Sequence, residues 1–202
     1  MKLLLAALGL LASVLCVSAQ ITAAQAALLA PKVIGGAGCT TIYDSNYTAT
    51  STVYPIGQTS GDVYGGQYSY VPASNVSICG VALYMTKAGD ISGKTYTAYI
   101  YSSAANSFTP GSPIGTSDTI AGNNSWSSTE VKFTFSSTVA ITTSGTYVYV
   151  VKCNQAADAA NYVQFDLSSA GGIGGFVGTW DISGVLQSGF STQDAKGKLY
   201  IP

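Results

Sequence analysis

The 202 residues are enough to bury one substantial core and too few for a large multidomain enzyme. Only 8% of them are charged, against about 25% in ordinary domains, and there are eight Lys, no Arg, no His and a single Glu, Glu130. Without His, a Ser-His-Asp or Cys-His mechanism has no base and the common zinc sites lose their usual ligand. A net charge of −1 with no Arg leaves neither a basic field for phosphates nor a bidentate reader of guanine, so nucleic acid is excluded as an expected partner.

Met1 and Lys2 give a short positive start, residues 3–17 an apolar run, and Val17-Ser18-Ala19 a small-residue cleavage pattern. Residues 1–19 are therefore read as a signal peptide, with Ala24-Gln25-Ala26 as a second place for the cut. The run is shorter than the roughly 20 apolar residues that span a bilayer. The mature form is thus expected to be secreted or extracellular, without a membrane segment and with the option of cell-surface association. Leu15 before Cys16 is not the small residue that lipid attachment wants. Residues 20–38, Ala-rich and then loosened by Gly35, Gly36 and Gly38, read as a flexible leader or linker, and residues 39–202 as one domain.

From there the pattern is period-two alternation of β-branched and aromatic residues, broken by Gly, Pro, Asn and Ser clusters. Residues 52–56 and 67–71 are the first strand candidates. In 78–85, Cys79, Val81, Leu83 and Met85 share a face opposite Ile78, Ala82 and Tyr84, and apolar residues on both sides mark a central strand. In 95–101, Tyr96, Ala98 and Ile100 alternate with Thr97, Tyr99 and Tyr101. A weaker candidate at 114–120 precedes the clearest strand, 130–135, where Val131, Phe133 and Phe135 oppose Glu130, Lys132 and Thr134. Residues 139–142, 147–153, 162–167 and 198–201 complete the set; in 147–153, Tyr147, Tyr149 and Val151 alternate with Val148, Val150 and Lys152. About eight to ten short strands without a helix long enough to cover a parallel sheet predict an all-β fold, an antiparallel two-sheet β-sandwich. Uneven loop lengths favour jelly-roll topology over an up-and-down barrel.

Export makes disulfides available. Cys79 opens one alternating run and Cys153 closes another, which would let two neighbouring antiparallel strands meet, so Cys79 with Cys153 is the favoured pair. Cys39, behind its Gly-rich approach, could instead pair with either of them, or link two chains as an intermolecular thiol.

Gln67-Tyr68-Ser69-Tyr70-Val71, followed by 77–85 (Ser-Ile-Cys-Gly-Val-Ala-Leu-Tyr-Met), resembles the opening of secreted bacterial β-sandwich domains of uncertain role, often described as anchor-bearing or carbohydrate-binding-like. The later order is similar too: Lys87-Ala88-Gly89, Tyr99-Ile100-Tyr101, Pro110-Gly111, 131–136, Ser144-Gly145-Thr146-Tyr147, Ala160-Asn161-Tyr162, the glycines of 171–178, Trp180 and Leu199-Tyr200-Ile201. The likeness spans roughly residues 66–201 and implies a jelly-roll, galactose-binding-like fold with no established activity. Cys79 and Cys153 depart from its pattern.

Two functions remain open. Sugar recognition on a sandwich uses flat aromatic faces with amides and hydroxyls. Trp180, after a Gly-rich stretch too loose for a core strand, leads the candidates, and Trp126 sits between Asn123-Asn124-Ser125 and Ser127-Ser128. Tyr162, Asn161 and Gln164 would add contacts, while either Trp could instead plug or cover the core. The other reading is a structural, self-associating subunit of an extracellular layer, fibre or matrix, since low charge weakens repulsion between copies. The expected partner is accordingly a polysaccharide or surface glycan, or the chain's own copies. No cofactor and no enzyme activity are expected; Asp44, Asp62 and Asp158 are the first places for a structural calcium.

Overall fold

The computed structural model describes residues 38–46, 49–103, 106–169, 176–190 and 193–202, all within the unit Gly35–Pro202. The predicted signal peptide, nearly all of the leader and the glycines of 171–175 lie outside the described residues. The alternating runs form strands throughout, and the described residues contain no helix. In chain order the strands are β1 (Thr41–Asn46), β2 (Ala49–Ile56), β3 (Tyr64–Tyr70), β4 (Val76–Ala88), β5 (Thr95–Ser102), β6 (Gly115–Thr116) and β7 (Ile120–Ala121). They continue as β8 (Thr129–Ile141), β9 (Tyr147–Cys153), β10 (Tyr162–Ser169), β11 (Phe176–Trp180), β12 (Leu186–Phe190), β13 (Gln193–Ala195) and β14 (Gly197–Ile201).

They build two antiparallel sheets. The first runs β1-β14-β4-β10-β13, with β8 on the far edge of β4 and β2 beside β10; the second runs β12-β11-β3-β9-β5-β6, with β7 beside β5. Their inward faces share one core. Val81, Leu83, Met85, Phe133, Phe135, Val163, Phe165 and Leu167 come from the first sheet, and Tyr70, Tyr96, Ala98, Ile100, Tyr149, Val151 and Val177 from the second. This is the predicted β-sandwich; its jelly-roll connectivity remains an expectation. One seam between the sheets is closed: Ser117 bridges to Phe135, and the Asp118 amide donates to the Thr134 carbonyl.

Period two placed most side chains correctly, and the exceptions come from bulges. The β4–β8 register shifts between Ile78 and Gly80. A one-residue slip moves a side chain to the other face. Ile78 therefore lies in the core between the sheets, while Cys79 packs with Cys39, Ala82 and Tyr200 in a separate cluster. This corrects the predicted disulfide. Cys39 is bonded to Cys79, with Cα atoms 5.6 Å apart, and Cys153 is a buried free thiol. Cys153 projects from β9 into the core between the sheets, whereas Cys79 sits on the other side of β4. The bond also removes Cys39 as an intermolecular thiol.

Four elements escaped the sequence reading: β1, β11, β12 and β13. The run predicted at 114–120 is split into β6 and β7, and 130–135 merges with 139–142 into the single strand β8. Glycine is structural where backbones approach closely. A Cβ on Gly66 in β3 would stand 2.2 Å from the Tyr149 carbonyl oxygen and 2.8 Å from the Val150 Cα on the adjacent β9.

Candidate functional site

Trp180 is the last residue of β11, so the Gly-rich stretch before it ends in a strand rather than an open loop. Its indole has 0% exposure and belongs to a second aromatic cluster with Tyr64, Tyr68, Tyr101, Phe108, Val148 and Val150. These residues alternate with inward ones, which places them on the outer face of the second sheet. Phe108, from the segment after β5, covers them: its ring stacks on Tyr101 at 4.2 Å, meets Tyr64 edge-on at 5.1 Å and tilts against Trp180 at 5.7 Å. Trp180 Nε1 donates to the Asn106 carbonyl at 2.7 Å, and the Phe108 amide donates to the Gly184 carbonyl. Gly184 has φ +76°, and a Cβ there would lie 2.2 Å from the Phe108 oxygen. Trp180 thus offers no open stacking face, which corrects its reading as a binding platform.

Trp126 is 7% exposed and folds into the core, tilted against Tyr96 at 5.7 Å. It too presents no platform. The other three candidates share one strand or its start. Tyr162 and Gln164 alternate with the inward Val163 and Phe165 and are half-buried on the outer face of the first sheet, Gln164 lying between Thr86 and Pro55. Asn161 belongs to a knot of loops at one end. Its Oδ1 accepts from the Asp90 amide at 2.8 Å, and its Nδ2 donates to Asp158 Oδ2 at 2.9 Å. Asp90 accepts from Asn124 Nδ2 and from both the amide and hydroxyl of Ser92. The Asn124 and Ser92 hydrogen bonds hold the Asp90 carboxyl down at about 2. Asn161, with the Ala160 amide, holds Asp158 below its usual value, and Lys94 pairs with it at 3.8 Å.

The proposed calcium carboxylates are each engaged by separate donors. Asp44 accepts from Tyr70 at 3.2 Å and from the Ser45 amide, and Asp62 from Thr59 at 2.6 Å and Thr179 at 3.0 Å. Among the described residues no three Cys, Asp or Glu side chains converge as a metal site would require. Burial pushes the Asp44 carboxyl up despite its hydrogen bonds. Nearby, a buried polar chain crosses the core: Tyr149 donates to Gln67 Oε1 at 2.8 Å, and Gln67 Nε2 donates to Asp194 at 3.3 Å.

The densest set of charges lies on the outer face of the first sheet. There Glu130 and Lys132 of β8, Tyr84 of β4, Lys198 and Tyr200 of β14, and Lys196 just before β14 come side by side through the β8–β4–β14 register. Glu130 accepts from Lys198, Tyr200 and Tyr84. Lys132 lies 3.9 Å over the Tyr200 ring and donates to the Cys39 carbonyl; Lys196 lies 4.2 Å over Tyr84 and 3.6 Å from Asp166. Ser128 donates to the same Asp166. Burial pushes Glu130 up, but Lys198 and the two phenols outweigh it and leave the carboxyl below its usual value. Tyr200 is pushed up to about 12 by burial and by Glu130. Each ammonium faces a carboxylate, a carbonyl or a ring, and burial, with Lys198 nearby, pushes Lys132 below its usual value against the pull of Glu130. The ladder has a local signal in the sequence that composition and strand periodicity alone do not single out: Glu130-x-Lys132 and Lys196-x-Lys198 each place two charges on one strand face.

No family model, curated protein or solved structure matches the chain.

Proposed function

We propose that the chain is an exported, non-catalytic sandwich that serves as a self-associating structural subunit of an extracellular layer, fibre or matrix. One observation favours this over glycan binding: both tryptophans that a sugar would stack on are buried in packing clusters. The amide of Asn161, another of the five candidates, is engaged with Asp90 and Asp158. Export is supported by the signal-like residues 1–19 and by the Cys39–Cys79 bond, which an oxidising compartment permits. Charges are scarce, and on the first sheet Lys196 pairs with Asp166 and Lys198 with Glu130, which leaves little repulsion between copies.

Sedimentation velocity of the chain from residue 20 onward, run over a wide concentration range with and without reductant, tests the reading. Concentration-dependent association without covalent dimers is expected, because Cys39 is bonded within its own chain. A monomer at every concentration, combined with retention on immobilised polysaccharide, would replace it with glycan binding.

A further inference from the structure

The edges of β1, β2 and the β6–β7 segment carry protective devices, and among the described residues β12 carries none. β1 carries Asp44 and a register shift between Ile42 and Asp44. β2 carries Pro55, which lacks an amide donor. β6 and β7 are two residues each, and the Ser117 and Asp118 contacts join this edge to β8. β12, with the sequence LQSGF, has no charge, no Pro and, among the described residues, pairs with β11 alone. The turn before it exposes Ile182 (58%) and Val185 (50%). Asp181, the charge that precedes it in the chain, is folded back onto the Ser183 and Val185 amides and Gln187 Nε2, at 2.8, 3.1 and 3.0 Å.

We propose that β12 pairs antiparallel with β12 of a second copy about a two-fold axis, joining the second sheets of two molecules into one continuous sheet. The inference rests on the self-associating reading and names its contact. A second copy is the occupant because an antiparallel strand edge is complementary to itself under two-fold rotation. Near such an axis any charge would meet its own like, and residues 182–190 carry none. Ile182 and Val185 supply apolar surface beside the paired edges.

The test compares the wild-type chain with Val185→Lys/Gln187→Lys and with Val53→Lys on the Pro-bearing β2 edge. The ammonium introduced by Gln187→Lys keeps a donor toward Asp181, so the double variant should melt as wild type does. Its dimer dissociation constant should rise at least about tenfold, while Val53→Lys leaves dimerisation unchanged. Amide exchange on the wild type gives a second readout: residues 186–190 should slow as protein concentration rises and 41–46 should not. A wild type that is monomeric throughout overturns both the proposed function and this contact. A wild type that associates, with exchange at 186–190 independent of concentration and the double variant unaffected, overturns the contact alone.

Discussion

Trp180→Ala separates packing from binding most directly. The indole is fully buried against Tyr68 at 5.9 Å and Phe108 at 5.7 Å, and deleting such a ring costs roughly 3–5 kcal/mol. Against a total stability of about 5–15 kcal/mol, that is a large fraction. For a domain of this size each kcal/mol moves Tm by about 2–4 °C, so the fall should be roughly 6–20 °C. Trp180→Phe keeps much of the ring contact but leaves the Asn106 carbonyl without its 2.7 Å donor, a loss of about 1–3 kcal/mol. Thermal melts followed by near-ultraviolet circular dichroism order the three proteins as wild type, Phe, Ala. If the Ala variant melted within about 2 °C of wild type, the indole would not be a packing element and the aromatic face would have to be open to ligand.

The disulfide closes a loop with a sequence separation of 40, for which chain entropy assigns about 4 kcal/mol; Cys39→Ser should lose stability on that scale in denaturant titrations, while Cys153→Ser should not abolish the bond. In native protein Cys153 should resist alkylation and react only after unfolding, as peptide mass spectrometry would show. Because Glu130 has a lowered folded pKa, its contribution is present above the unfolded carboxylate value near 4.5 and disappears as pH falls through the folded one. Glu130→Gln should therefore flatten the acid side of the stability profile. Asp44 has the opposite sign: its pKa is raised, so its ionisation opposes folding as pH rises, and Asp44→Asn should equal or exceed wild-type stability at pH 7; a clear loss there would refute the burial argument. Gly66→Ala should cost several kcal/mol by driving Cβ into the β9 backbone, whereas Gly93→Ala, with nothing within 4 Å of its Cβ, should fall within about 0.5 kcal/mol of wild type in the same titrations.

The faces of β5 and β9 could be read from period two because those strands pair without a register shift along their shared length. β4 could not, because the slip near Ile78 is settled by how β8 pairs with it, and no local pattern encodes that. That slip put Cys79 beside Cys39 and turned Cys153 into a core thiol. β11 and β12 were missed because Gly178 and Gly189 interrupt their apolar pattern; the structure uses Gly178, where a Cβ would fall 2.5 Å from Leu186, to fit the hairpin beneath its own side chains.

The signal-like N-terminal pattern, scarcity of charge, absence of His and Arg, and all-β character belong to the sequence, since each depends on composition or on local spacing. Which face of the second sheet is covered, and hence whether Trp180 meets water, depends on a segment some 70 residues away, whose Asn106 and Phe108 close over it. The same holds for the charge ladder and for the β12 edge, which among the described residues pairs with β11 alone. Long-range pairing decides which side chains and backbone groups are left for a partner, and only the tertiary structure contains that pairing.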